Sequence, residues 1–162
     1  MDLGSSIPWY NFGINLAGYW KNFDLQLFFQ GAGGNKIYNM SRRRLLTDGT
    51  TNQISPEMAD AWSAANPDGS IPNPHSTVNY LPSSRFLEKG DYFRLKNLQV
   101  GYSLPQSLLK RGGFSNCRFY VQISNVFTLT KYKGYDPEVN GGIDYGNYPQ
   151  SRTFLFGVNI TY

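Results

Sequence analysis

Five stretches of this chain, near residues 9–20, 23–31, 91–104, 116–130 and 152–162, alternate apolar and polar residues at every second position. A period of two lays side chains on opposite faces of an extended strand, so each stretch reads as a strand with one apolar face. The last, TFLFGVNITY, sets Phe154, Phe156, Val158, Ile160 and Tyr162 against Thr153, Leu155, Gly157, Asn159 and Thr161. The first sets Tyr10, Phe12, Ile14, Leu16 and Trp20 against Asn11, Gly13, Asn15 and Ala17; after Lys21-Asn22, the second aligns Phe23, Leu25, Leu27 and Phe29. Those two make a hairpin.

What the polar rows contain matters as much as the period. They are mostly Asn, Gln, Ser, Thr and Gly, and charged residues make up only 16% of the chain against about 25% in an average globular domain. Strands of a soluble sandwich run to about 5–6 residues with charged wet faces, and these look twice as long. Long strands with tight turns at one end, long loops at the other and aromatics near strand ends (Tyr10, Trp20, Tyr102, Tyr162) fit a transmembrane barrel, of which five strands are a piece. No run reaches the roughly 18 apolar residues of a membrane-spanning helix, and MDLGSSIPWY has no basic n-region or apolar h-region. Neither observation bears on a barrel.

The connections alternate short, long, short, long: Lys21-Asn22, the long segment 32–90, PQSLLKRGG and the long loop 131–151. The first long loop carries one helix-like patch, PEMADAWSAAN. In the third alternating stretch Arg94 and Lys96 fall on the apolar row, which calls for a bulge or a start above the membrane.

Little in the chain suggests reaction chemistry. The net charge of +4 is scattered apart from Arg42-Arg43-Arg44, read as a solvated loop rather than a nucleic-acid face. One cysteine, Cys117, and one histidine, His75, exclude an internal disulfide and a zinc ligand set, so no metal or cofactor is expected. Ser107-x-x-Lys110 lacks the partner motifs of a penicillin-binding enzyme, and Gly31-Ala-Gly33-Gly34-Asn35-Lys36 lacks Walker spacing. Asp136 to Gly141 copies the front of a calcium loop, but Asn147 stands where its bidentate Glu belongs. The chain therefore reads as a non-enzyme. The long loops hold Trp62, Tyr80, Tyr132, Tyr135, Tyr145 and Tyr148, rings able to stack on sugars or anchor a protein. Trp62, Tyr132, Tyr135 and Asp136 are assigned to substrate or partner contact. An extracellular all-β carbohydrate-binding module remains the competing reading.

SSRFLEKGDYFRLKNLQVGYSLP, NVFTLTKYKGYDPEVN, IDYGNYPQSRTFLFGVNITY and IPWYNFGINLAGYWKNFDLQLFFQGAGGNKIYN resemble, in order, the C-terminal barrel region of the SusC/RagA family of TonB-dependent outer-membrane transporters of Bacteroidota. AWSAANPDGSIP resembles the family's W…NP…IP pattern. The resemblance implies an all-β antiparallel fold, the last five strands of a barrel of about 22 around a plugged lumen. It implies import of large nutrients, glycans or oligopeptides, beneath a SusD-like surface lipoprotein, driven by TonB through an N-terminal box and plug that this stretch lacks. It also implies that the row Phe154, Phe156, Val158, Ile160 and Tyr162 is the signal read by the barrel-assembly machinery, with Tyr162 at the periplasmic rim, the row facing lipid and both long loops outside the cell.

Overall fold

The computed structural model describes residues 3–47, 55–73, 76 and 81–162. In chain order its elements are β1 (Tyr10–Trp20), β2 (Phe23–Gly33), β3 (Lys36–Asn39), α1 (Met40–Thr47), β4 (Leu87–Lys89), β5 (Tyr92–Ser103), α2 (Gln106–Gly112), β6 (Asn116–Thr130), β7 (Ile143–Asp144) and β8 (Thr153–Thr161). His75 and Tyr80 lie outside the described residues. Among those described, no helix is long and apolar enough to cross a membrane. The chain divides into two units. One holds Tyr10–Gly33, Tyr92–Thr130 and Gln150–Tyr162; the other holds most of the two long connections.

The first unit is the expected antiparallel sheet of five strands, ordered β1-β2-β5-β6-β8 with every neighbour antiparallel. Its registers place the apolar rows side by side. Leu16 faces Leu27, Leu27 faces Leu98, Leu98 faces Ile123, and Ile123 faces Phe154. At the two edges of that face Leu16 is 51% exposed, Phe154 58% and Phe156 76%, while Leu27, Leu98 and Ile123 between them are half-buried among their neighbours. A one-residue slip in any strand would move its row to the other face, so this continuity specifies the register.

The β1–β2 turn is tight because Lys21 takes φ +53, a conformation a non-glycine residue adopts only when its surroundings hold it. Here they do. The Asn22 amide donates to Ser103 O at 2.7 Å, the Ser103 N–H donates to Asn22 O at 2.9 Å, and the Lys21 ammonium sits 4.8 Å over the Trp20 ring.

The bulge that Arg94 and Lys96 call for is present. Leu95 pairs with Phe29 but Asn97 pairs with Phe28, so Lys96 is an extra residue in β5. The insertion flips the strand's phase. Phe93 and Leu95 join the apolar face, where the Phe93 ring stacks on Phe29 (5.4 Å) and Phe12 (6.1 Å). Arg94 passes to the polar face, buried, with Nε donating to Thr128 Oγ1 at 2.8 Å. On β6 the irregularity falls at Asn125 (φ +54), whose amide donates to Ser151 O at 2.9 Å while Arg152 Nη2 donates to Val126 O at 2.6 Å.

On the polar face, Asp24 of β2 and Arg118 of β6 join across the intervening strand β5. Arg118 Nε donates to Asp24 Oδ2 at 2.8 Å and Nη2 to Oδ1 at 2.6 Å. The fork lies directly over Gly101, where a Cβ would stand only 2.6 Å from Arg118 Nε. Glycine at 101 is what lets a carboxylate and a guanidinium two strands apart meet.

In the second unit the structure departs from the sequence reading. The long connection 32–90 is not irregular throughout: β3 pairs antiparallel with β4 and parallel with β7 in a sheet of order β4-β3-β7. Leu46, Ile71 and Phe86 form its core, with Tyr38, Met58 and Ala61 packed against them. The patch PEMADAWSAAN gives only a 3-10 turn, Pro56–Asp60, because Ala61 turns extended to bridge Ile71. Arg42-Arg43-Arg44 lies on α1, not in a loop. PQSLLKRGG, read as a turn, contains helix α2, so Ser107 and Lys110 are helical residues.

Candidate functional site

The second unit builds an open cleft of about 630 Å³, walled by α1, by Ser55 and Glu57, and by Lys133, Gly134 and Tyr135, with Asn39 and Asp144 at the strand ends. α1 begins where it does because the Asn39 side-chain oxygen accepts the Arg42 N–H at 2.8 Å, satisfying one of the donors a helix start leaves bare. Successive helical residues project about 100° apart, so the three arginines diverge. Arg42 turns into a pair of carboxylates: Nη2 to Glu57 Oε2 at 2.6 Å and Nη1 to Glu88 Oε1 at 3.6 Å. Arg43 Nη1 approaches Met40 Sδ at 3.5 Å. Arg44 is exposed and lines the cleft.

Four segments distant in sequence are tied together at this point. Glu57 sits on the 3-10 turn, whose start is capped by Ser55 Oγ accepting the Glu57 N–H. Lys133 adds its ammonium to Glu57 Oε1 at 3.4 Å and donates its backbone N–H to Glu88 Oε2 at 2.8 Å. The hydrogen bond from Arg42 holds the Glu57 carboxyl below the usual carboxylate range.

A second arrangement fixes the cleft's far wall. Tyr132 is buried and its hydroxyl donates to Asp144 Oδ2 at 2.5 Å, while Asp144 Oδ1 accepts the Gly146 and Asn147 N–H groups at 2.8 and 2.9 Å. Burial first, and the neighbouring carboxylate second, push the Tyr132 hydroxyl far above its ordinary value, so it stays a donor throughout the physiological range. Gly134 is required alongside, since a Cβ there would clash with the Tyr132 ring and stand 2.6 Å from Asp144 Oδ2.

Of the four loop residues assigned to contact, only Tyr135 lines the cleft, with 72% of its surface exposed. Trp62 is 45% exposed beside the Ala61–Ile71 bridge, its N–H donating to Ile71 O at 2.7 Å. Tyr132 and Asp136 are buried, and Asp136 Oδ1 accepts the Glu138 N–H at 2.9 Å. Among the described residues no cluster of three or more His, Cys, Asp or Glu is placed to hold a metal ion. Glu57, Glu88 and Lys133 were not singled out by sequence, and Arg42 only as part of the basic run.

No family model matches the chain. TonB-dependent receptor P3 of Formosa agariphila is 37% identical over 172 aligned positions, which take in 99% of this chain and 17% of that receptor. TonB-dependent receptor SusC of Bacteroides thetaiotaomicron is 28% identical over 93% of this chain and 15% of its own length. The structure of the RagAB peptide importer in its closed-closed state superposes with a TM-score of 0.88 at 28% identity, over 98% of this chain and 18% of that one. This chain is a SusC/RagA-like barrel segment.

It spans under a fifth of the length of the receptors it matches. In this SusC/RagA-like segment the terminal row Phe154, Phe156, Val158 and Ile160 belongs to β8, which pairs with β6 on one side and forms an edge of the sheet on the other. Tyr162 follows the strand and is 98% exposed.

Proposed function

We propose that this segment is wall and loops of an outer-membrane, TonB-dependent importer of large nutrients, glycans or oligopeptides, and that it is not an enzyme. The observation that carries this reading is the uninterrupted apolar face of five paired strands, from Leu16 across to Phe154. An aqueous module would leave that face bare, which disfavours the carbohydrate-binding module; a bilayer covers it, and lipid is its partner. The relatives' names support transport: two are TonB-dependent receptors and one is a peptide importer. TonB engages parts of the receptor outside this segment.

Residues 32–90 and 131–151 are outer loops that meet the nutrient or a SusD-like surface lipoprotein. Trp62 and Tyr135 make that contact through exposed rings, while Tyr132 and Asp136 serve it by holding loop shape. The terminal row Phe154, Phe156, Val158, Ile160 and Tyr162 is read by the barrel-assembly machinery, because an edge strand with a regular apolar face offers both a backbone ladder and a lipid-compatible surface. The test is the double variant Trp62→Ala/Tyr135→Ala in a full-length receptor carrying this segment. Nutrient uptake or lipoprotein co-purification should fall at normal receptor level; both unchanged would refute the loop assignment.

A further inference from the structure

We propose that the cleft beside α1 takes an acidic sugar of the imported ligand, its carboxylate held by Arg44 and Lys133 and its ring laid against Tyr135. This rests on the importer reading and names a ligand chemistry for it.

The argument is one of hydrogen-bonding capacity. The two carboxylates that line the cleft are engaged. Glu57 Oε2 receives Arg42 Nη2, its Oε1 receives Arg42 Nε and the Lys133 ammonium, and Asp144 has Tyr132 on one oxygen and two backbone N–H groups on the other. The donors are in surplus. Arg44 makes no hydrogen bond or ion pair with any other described residue, leaving its whole guanidinium fork to the cleft, and the Lys133 ammonium, its side chain 55% exposed, uses one long contact of 3.4 Å. With both cleft carboxylates already engaged and two cations on offer, the site suits an acceptor-rich anion, and a guanidinium matches a carboxylate two atoms to two.

Two further features favour a sugar over an acidic peptide. The Tyr135 ring stands open on the cleft wall, a flat apolar surface of the kind on which a pyranose stacks. An extended peptide would seek an unpaired strand, but the strand residues at the cleft, Asn39 and Asp144, already pair with one another.

The experiment is titration calorimetry on the purified full-length receptor carrying this segment, with a galacturonate trisaccharide, its neutral galactose counterpart and triglutamate. The galacturonate should bind, more weakly as salt rises, and the neutral sugar at least about tenfold more weakly. Arg44→Gln should lower galacturonate affinity about tenfold, Arg44→Lys less, and Lys110→Gln, an exposed cation on α2, not at all. Failure of wild type to bind galacturonate, equal binding of the neutral sugar, indifference to Arg44→Gln, or a preference for triglutamate that Arg44→Gln abolishes would each overturn the proposal. Uptake of the receptor's own nutrient separates the two levels. Loss in Trp62→Ala/Tyr135→Ala with any of those results sinks only the acidic-sugar assignment; uptake and lipoprotein binding both intact in the double variant sink the importer role of these loops with it.

Discussion

Replacing Gly101 with alanine tests whether the polar face of the sheet is organised around a glycine. The added Cβ would stand 2.6 Å from Arg118 Nε, about 1 Å inside ordinary contact, so the Asp24–Arg118 fork must lift by roughly that amount. Its bonds of 2.8 and 2.6 Å would then exceed the length at which a hydrogen bond survives. Hydrogen bonds to charged groups contribute about 1.5–3 kcal/mol, and these side chains are only 18% and 11% exposed, so little of that is screened. Alanine returns about 0.5–1 kcal/mol by narrowing the unfolded backbone, leaving a net loss of about 0.5–2.5 kcal/mol. The assay is a double-mutant cycle in a full-length receptor carrying the segment, read by denaturant midpoint and heat-modifiable gel mobility. Gly101→Ala should destabilise wild type but be neutral or mildly stabilising once Asp24→Ala/Arg118→Ala has removed the fork. Equal effects in both backgrounds would show that the glycine does not serve the ion pair.

Tyr132→Phe removes the donor to Asp144 Oδ2 and should cost about 1–3 kcal/mol of local stability, seen as faster hydrogen exchange around Asp144. Because the folded hydroxyl titrates above its unfolded value of about 10, its contribution is complete below that pH and fades as pH rises beyond it; the phenylalanine variant should lose this alkaline slope. For Glu57 the sign reverses: its folded pKa is lowered, so its stabilisation is present above about pH 4.3 and fades as pH falls through the folded value. Glu57→Gln should flatten that acid slope in a pH series of limited proteolysis. Deleting Tyr162, or Tyr162→Asp, should lower outer-membrane levels of the full-length receptor, and normal insertion of both would leave β8 an ordinary strand.

The sheet was legible in sequence because its signal is redundant. Each strand repeats one alternation many times over, and even the local failure at Arg94 and Lys96 marked a real irregularity. The second unit offered no such repetition. β3, β4 and β7 are four, three and two residues long, too short to show a period, and Tyr38 pairs with Ile143 across more than half the chain. The ion cluster was hidden for the same reason: nothing near Arg42 announces that Glu57, Glu88 and Lys133 will meet it. Tyr132 and Tyr135 look alike in the string KYKGY, yet one is buried on Asp144 and the other open to the cleft. That difference is made by tertiary packing, and by Gly134 between them, whose missing side chain makes room for the buried ring.

A strand that must keep grease on one side has something like a parity bit, and Lys96 toggles it in β5. Below the toggle Leu98, Val100 and Tyr102 carry the outward phase; above it Leu95 and Phe93 do, and the phase that turned inward is what admits Arg94. One cation is thereby stationed within a wall that could not otherwise hold it, since the uninterrupted count would have pointed it at hydrocarbon. Deleting Lys96 would leave the parity as it stands, since Asn97 would then follow Leu95 directly and the pairs Phe29–Leu95 and Phe28–Asn97 would run on without a bulge; forcing Lys96 into the ladder instead would swing Arg94 outward, where a cation near the bilayer midplane costs about 2–4 kcal/mol.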